Sequence, residues 1–171
     1  MGRNNANLIK WISYAVAFLL IFFFESCVFN RFPAFGAVPM LAPLVVTAVA
    51  LFEGSLNGAV FGLAVGFFCS AVYYRSGLMM IPVFTIIGVG AGATRKQKIG
   101  RSLLGCAICG LGALALLELC HMASGLLFHG TPLSTLAQVA LPELAYSLLF
   151  LIPIYLLIRT VYRRVRTDTE L

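Results

Sequence analysis

Charge is what this sequence has least of: 11% of its 171 residues are Asp, Glu, Lys or Arg, where a soluble domain carries about 25%. Mean hydropathy is +0.99 and 61% of the residues are hydrophobic. That balance excludes an ordinary water-soluble domain and predicts an integral membrane protein whose core is a helix bundle. Asp is missing from every apolar run, which argues against an intramembrane aspartyl protease or a paired-aspartate hydrolase. No Ser/His/Asp set, Gly-x-Ser-x-Gly or phosphate loop is present either, so the chain reads as a non-enzyme. The length leaves room for one domain and no extramembrane module. The net charge of +6 comes from short basic clusters beside apolar runs. A nucleic-acid groove would interleave such residues with aromatics, so lipid headgroups are the expected anionic neighbour.

What the chain has in quantity is glycine, and its placement is periodic. Gly54, Gly58, Gly62 and Gly66 recur every fourth residue, Ser70 continues the series, and the residues between are almost all apolar. Residues four apart share one helix face. A face without side chains lets another backbone approach closely inside a bilayer, whereas in water each interior glycine would cost about 1 kcal/mol relative to alanine. The stretch is therefore expected to be a packing spine.

Six apolar runs are expected to cross the membrane, over 11–29, 38–52, 54–74, 78–94, 102–127 and 139–161. The first is too long for a signal-peptide core and has no small-residue cleavage site in its polar flank; Trp11 and Tyr14 would anchor it at the inner interface. The second is short and carries Pro39 and Pro43 in its first turns, where a lost donor matters least. The fourth holds Pro82 with Gly88, Gly90 and Gly92. With both termini inside, Arg3, Lys10, Arg95, Lys96, Lys98, Arg101, Arg159, Arg163, Arg164 and Arg166 are cytoplasmic and only Arg31 and Arg75 lie outside. Every short loop then obeys the positive-inside rule. The fold class is an all-α polytopic bundle of six transmembrane helices, N-in and C-in.

Ionisable residues within spans are the default functional flag. At ~1.5 Å per residue, Glu25, Glu118 and Glu143 each lie roughly 20 to 24 Å from the cytoplasmic end of their helices, in the outer leaflet. His121 follows Glu118 by one turn, and Arg31, Arg75 and His129 are available nearby. One reading is an outward-opening polar cluster that takes a ligand or partner. The other, which asks for less, is separate residues snorkelling to the interface or satisfying backbone groups freed near prolines. Glu53 precedes the glycine helix, where a carboxylate favours the helix N-terminus. Cys106 and Cys109 have the spacing of a redox or zinc half-site, but Cys120 and His121 are ~21 Å further along the helix. The five cysteines read as small hydrophobes, with no metal or cofactor expected.

Several of these features together resemble the rod-shape-determining MreD family: Pro39 and Pro43 on a short apolar run, Glu53-Gly54 with Gly58, Gly62 and Gly66, and the Gly77 turn. Leu141-Pro142, Leu148-Leu149-Phe150, Pro153, Tyr155 and Arg159 are similar to that family's last helix and basic end. The family often has an Asp where Ser70 stands here and an Asn where Ser147 stands. The resemblance implies a non-enzymatic, multi-pass component of the bacterial inner membrane, within the lateral cell-wall synthesis machinery. Its implied partners are the single-span MreC and, through the complex, the actin-like MreB filament and glycan-polymerising enzymes. A second reading is the substrate-binding subunit of an energy-coupling-factor vitamin transporter, similar in size, span number and orientation. That family typically docks its partner on an AxxxA face of the first helix, where this chain offers Ser13 and Ala17, and Glu25, Glu118, Glu143 and His121 would line the pocket.

Overall fold

The computed structural model describes residues 3–29, 39–72, 79–96, 102–129 and 142–167, with side chains described over 8–27, 39–72, 79–95, 102–126 and 142–164. Arg31, Arg75, Gly77, Lys98, Arg101 and the 130–141 segment lie outside the described residues, as do the side chains of Arg3, Lys96, His129 and Arg166. Every described element is helical. Four helical stretches, Leu8–Cys27, Ser55–Val72, Leu103–Leu126 and Pro142–Arg164, are long and apolar enough to cross a membrane, the mark of an integral membrane protein.

The centre of the bundle is not the glycine helix but α2, Ala42–Glu53, all 12 residues of which are buried. A helix that is apolar all round is stable only when surrounded. Here Ala42, Val45, Val46, Ala48, Val49 and Ala50 keep its surface small enough for neighbours on every side. α2 and the later helix Met80–Ala93 are shorter apolar helices; at ~1.5 Å per residue they are about 18 and 21 Å long, so each covers part of the roughly 30 Å hydrocarbon core. Only Pro43 stands in the first turn of α2; Pro39 precedes the helix. Gly54 ends α2 with φ of 100°, a conformation glycine adopts without steric cost. The glycine helix, α3, accordingly runs Ser55–Val72, and Gly54 belongs to the turn rather than to the helical stripe.

The stripe itself faces α4, Met80–Ala93. A methyl group built on Gly58 would lie 2.5 Å from Ala50 Cβ of α2 and 2.6 Å from the carbonyl oxygen of Gly88; on Gly62 it would strike the carbonyl oxygen of Phe84, and on Gly66 it would lie 2.9 Å from Ile81 Cα and 3.0 Å from the Met80 carbonyl oxygen. One on Gly92 would collide with the backbone of Gly54 and Ser55. Each step of four residues up α3 is met by four residues down α4, so the two helices are antiparallel and in register with backbones in contact. Ser70 is half-buried one turn beyond Gly66. The opposite face of α3, with Val60, Leu63 and Phe67, is exposed.

Around this core stand α1 (Arg3–Phe24), which passes into a π-helical turn over Glu25–Phe29, and α5 (Leu103–His129). The last stretch is two helices, α6 over 142–149 and α7 over Leu151–Thr167, with a turn at Phe150. Proline within a helix removes a donor and crowds the preceding turn. Pro153 does so here, and Phe150 N bonds back three residues to Ser147 O at 3.1 Å.

Candidate functional site

Two polar centres sit at opposite ends of α2. At the first, Glu53 ends α2, and its carboxylate accepts hydrogen bonds from Lys10 Nζ and Tyr14 Oη, each at 2.8 Å. The Glu53 side chain is 6% exposed and that of Lys10 22%. Arg95 donates to the backbone oxygen of the same residue at 2.6 Å. Glu53 therefore does not serve as a cap for the glycine helix. The positive φ of Gly54 turns the chain away, and the carboxylate lies against α1 instead. Tyr14 is likewise not an interfacial anchor: it is 0% exposed, wedged between Trp11 and Phe61 at ring-centroid distances of 6.3 and 6.4 Å, with its hydroxyl spent on Glu53. A buried carboxylate with a cation and a hydroxyl donor avoids the penalty of an unpaired buried charge. A shallow cavity of about 480 Å³ adjoins this centre, lined by Glu53, Gly54, Ser55, Asn57, Gly92 and Arg95 among others. Phe52 stacks on Tyr162 at 5.1 Å, and Arg159 lies 6.0 Å from the Tyr155 ring, so the basic end of α7 shares this end of the bundle.

At the second centre the chain enters α2. The first amides of a helix have no intrahelical acceptor, and Leu41 at the N-cap makes no side-chain cap of its own. The acceptors come from elsewhere in the sequence. Glu25 Oε2, from the π-helical turn after α1, takes the Leu41 amide at 3.1 Å, and Ser147 Oγ, from α6, takes the Met40 amide at 3.0 Å. Glu25 is 3% exposed and Ser147 0%. A carboxylate at this position also favours the positive end of the α2 dipole.

Of the expected outer cluster, Glu143 lies within electrostatic range of both Glu118 and Glu25. Glu118 and Glu143 are half-buried. His121 is half-buried on α5, and among the described residues its Nε2 atom is buried without a hydrogen-bond partner. No three His, Cys, Asp or Glu among the described residues are grouped to hold a metal. The five cysteines are free; Cys106 is buried, while Cys109 lies 3.5 Å from Thr94 Oγ1.

Sequence reasoning missed three participants: the Tyr14 hydroxyl, the Lys10 ammonium and Ser147. The first two had a signal. Lys10 and Tyr14 are four apart on α1, hence on one face, and Glu53 is the one carboxylate that the expected spans put near the same level. Ser147 had no such signal, because its partner, the Met40 amide, is 107 residues away. No family model, curated protein or solved structure matches this chain.

Proposed function

We propose that this chain is a non-enzymatic, six-span membrane component of the bacterial cell-shape and lateral cell-wall elongation complex, of the MreD kind. In this reading it sits in the inner membrane with both termini cytoplasmic and packs with an MreC-like single-span protein, through which it reaches an MreB-like filament and the glycan-polymerising enzymes. The observation that supports it most is how the two buried carboxylates are used. Glu25 holds the entry to α2 and Glu53 holds α1, so both are spent on positioning helices, as befits a scaffold. The resemblance carries the choice of complex.

The transporter-subunit reading is supported by a different observation, the convergence of Glu118 and Glu143 with Glu25 at one end of the bundle, which would suit a ligand with a cationic group. Purification of the tagged chain from its native membrane in mild detergent separates the two. The scaffold reading expects a single-span periplasmic protein and cell-wall enzymes in the eluate, and rounding of rod-shaped cells when the chain is depleted. Recovery of transporter ATPase subunits with a bound vitamin would overturn it.

A further inference from the structure

The first helix meets the bundle through a narrow stripe. Among the described residues, Tyr14, Ala17 and Phe18 of α1 and Glu25 just beyond it are buried, whereas Leu8, Ile12, Leu19, Leu20, Phe23 and Phe24 are exposed. The buried stripe is polar at both ends, and both ends are tied to the same partner. Lys10 and Tyr14 bond to Glu53, the last residue of α2, and Glu25 bonds to the amide of Leu41, just before the first. Between the ties, α1 touches α3 through aromatic edges, with Phe18 and Phe22 set 5.6 and 5.1 Å from Phe68. Toward α7 an apolar groove of about 360 Å³ stands open, lined by Leu20, Ile21, Phe24, Pro153, Ile154 and Leu157 among others.

Inside a bilayer, lipid tails replace an apolar helix neighbour at little loss, so hydrophobicity does not hold one helix against another. α1 runs alongside α7 for more of its length than alongside α2, but that packing leaves the groove open, and the polar ties at its ends fix its register against α2. The α3–α4 seam is held differently, by backbone contact along its whole length. We propose that α1 is a strap latched at both ends to α2, able to lift as a unit while the α2–α3–α4 core stays folded, and that the α1–α7 groove is where it gives way.

The chain contains one tryptophan, and Trp11 packs against Tyr14 and Phe61 beside the first latch, so the protein reports on the strap without labelling. In lipid nanodiscs, Glu53→Gln and Tyr14→Phe are expected to raise acrylamide quenching of Trp11 at least two-fold, with helical circular dichroism unchanged. Tyr14→Phe keeps the ring and the ion pair, and it decides the matter if Glu53→Gln does not accumulate. A second measurement uses spin labels on Leu20→Cys and Leu157→Cys across the groove, and on Leu63→Cys and Ile86→Cys across the α3–α4 seam, with the native cysteines replaced. The latch variants should lengthen and broaden the first distance and leave the second alone. Unchanged quenching in both variants, or quenching that rises only together with loss of helicity or a broadened α3–α4 distance, would overturn the proposal.

Discussion

Two buried hydroxyls beside the backbone of the α2 region look alike and do different things. Thr47 and Ser147 are both 0% exposed. Thr47 Oγ1 donates to Pro43 O at 2.7 Å, an oxygen that also lies four residues before the Thr47 amide within α2, so the bond is redundant with the helix ladder. Ser147 Oγ is instead the acceptor for the buried Met40 amide, which precedes the N-cap Leu41 and so lies outside the hydrogen-bond ladder of α2. Removing one partner of a buried bond exposes the other to a desolvation penalty of about 1–3 kcal/mol, whereas an isosteric apolar replacement of a redundant polar group is close to neutral. Thermal unfolding in detergent should therefore show Ser147→Ala destabilised by about 1–3 kcal/mol and Thr47→Val unchanged or slightly stabilised. Equal effects would mean that the two hydroxyls are not distinguished by what they satisfy. The sequence marks both residues as polar in an apolar run. It does not say which one faces an orphan amide, because that depends on a contact between segments far apart in the chain.

At the scale of the helix, periodicity was readable and partnership was not. Glycine every fourth residue defines a face from spacing alone, and that face lies on α4 with backbone against backbone. The partner was less legible, since α4 presents glycines of both kinds: Gly88 and Gly92 meet α3, while Gly90 has nothing within 4 Å of an added methyl group. The difference is the 100° advance per residue of a helix, which turns alternate positions away from a shared seam. What spacing could not reveal is that α2, without any amphipathic period, is the enclosed element. The element scale supports a graded test. Gly62→Leu, which must displace the Phe84 carbonyl, and Gly58→Leu should each lose stability by at least the about 1–3 kcal/mol of an overpacked core. Gly90→Ala should be neutral or stabilising, since alanine is the better helix former by about 1 kcal/mol in water. Val60→Leu, at a site 58% exposed, should be silent. Accumulation in the membrane and thermal unfolding check all four, and normal behaviour of both leucine variants at the glycines would remove the seam from the account of stability.

For the whole molecule, the arrangement of charge carries more than the arrangement of any one site. Lys10, Arg95 and Arg159 gather at the end of the bundle where α2 finishes, and Glu25 and Glu143, with Glu118, at the end where it starts. Glu53, the carboxylate at the basic end, has a cation bonded to it. A bundle with one basic and one acidic end has a defined orientation in a bilayer, because basic residues in short loops are retained on the cytoplasmic side while acidic ones contribute little to the choice. The basic end should accordingly face the cytoplasm, and the cluster of carboxylates should face outward. Positions 31 and 97, on either side of that divide in the six-span reading, give a direct check in a cysteine-free background in intact cells. A membrane-impermeant maleimide is expected to label Arg31→Cys at once and Gln97→Cys only after the membrane is permeabilised. A five-span chain would put either the Arg95 loop or the C-terminal arginines on the outside. Labelling of position 97 in unbroken cells would then show that charge does not set the orientation, and the outward placement of Glu25, Glu118 and Glu143 would fall with it.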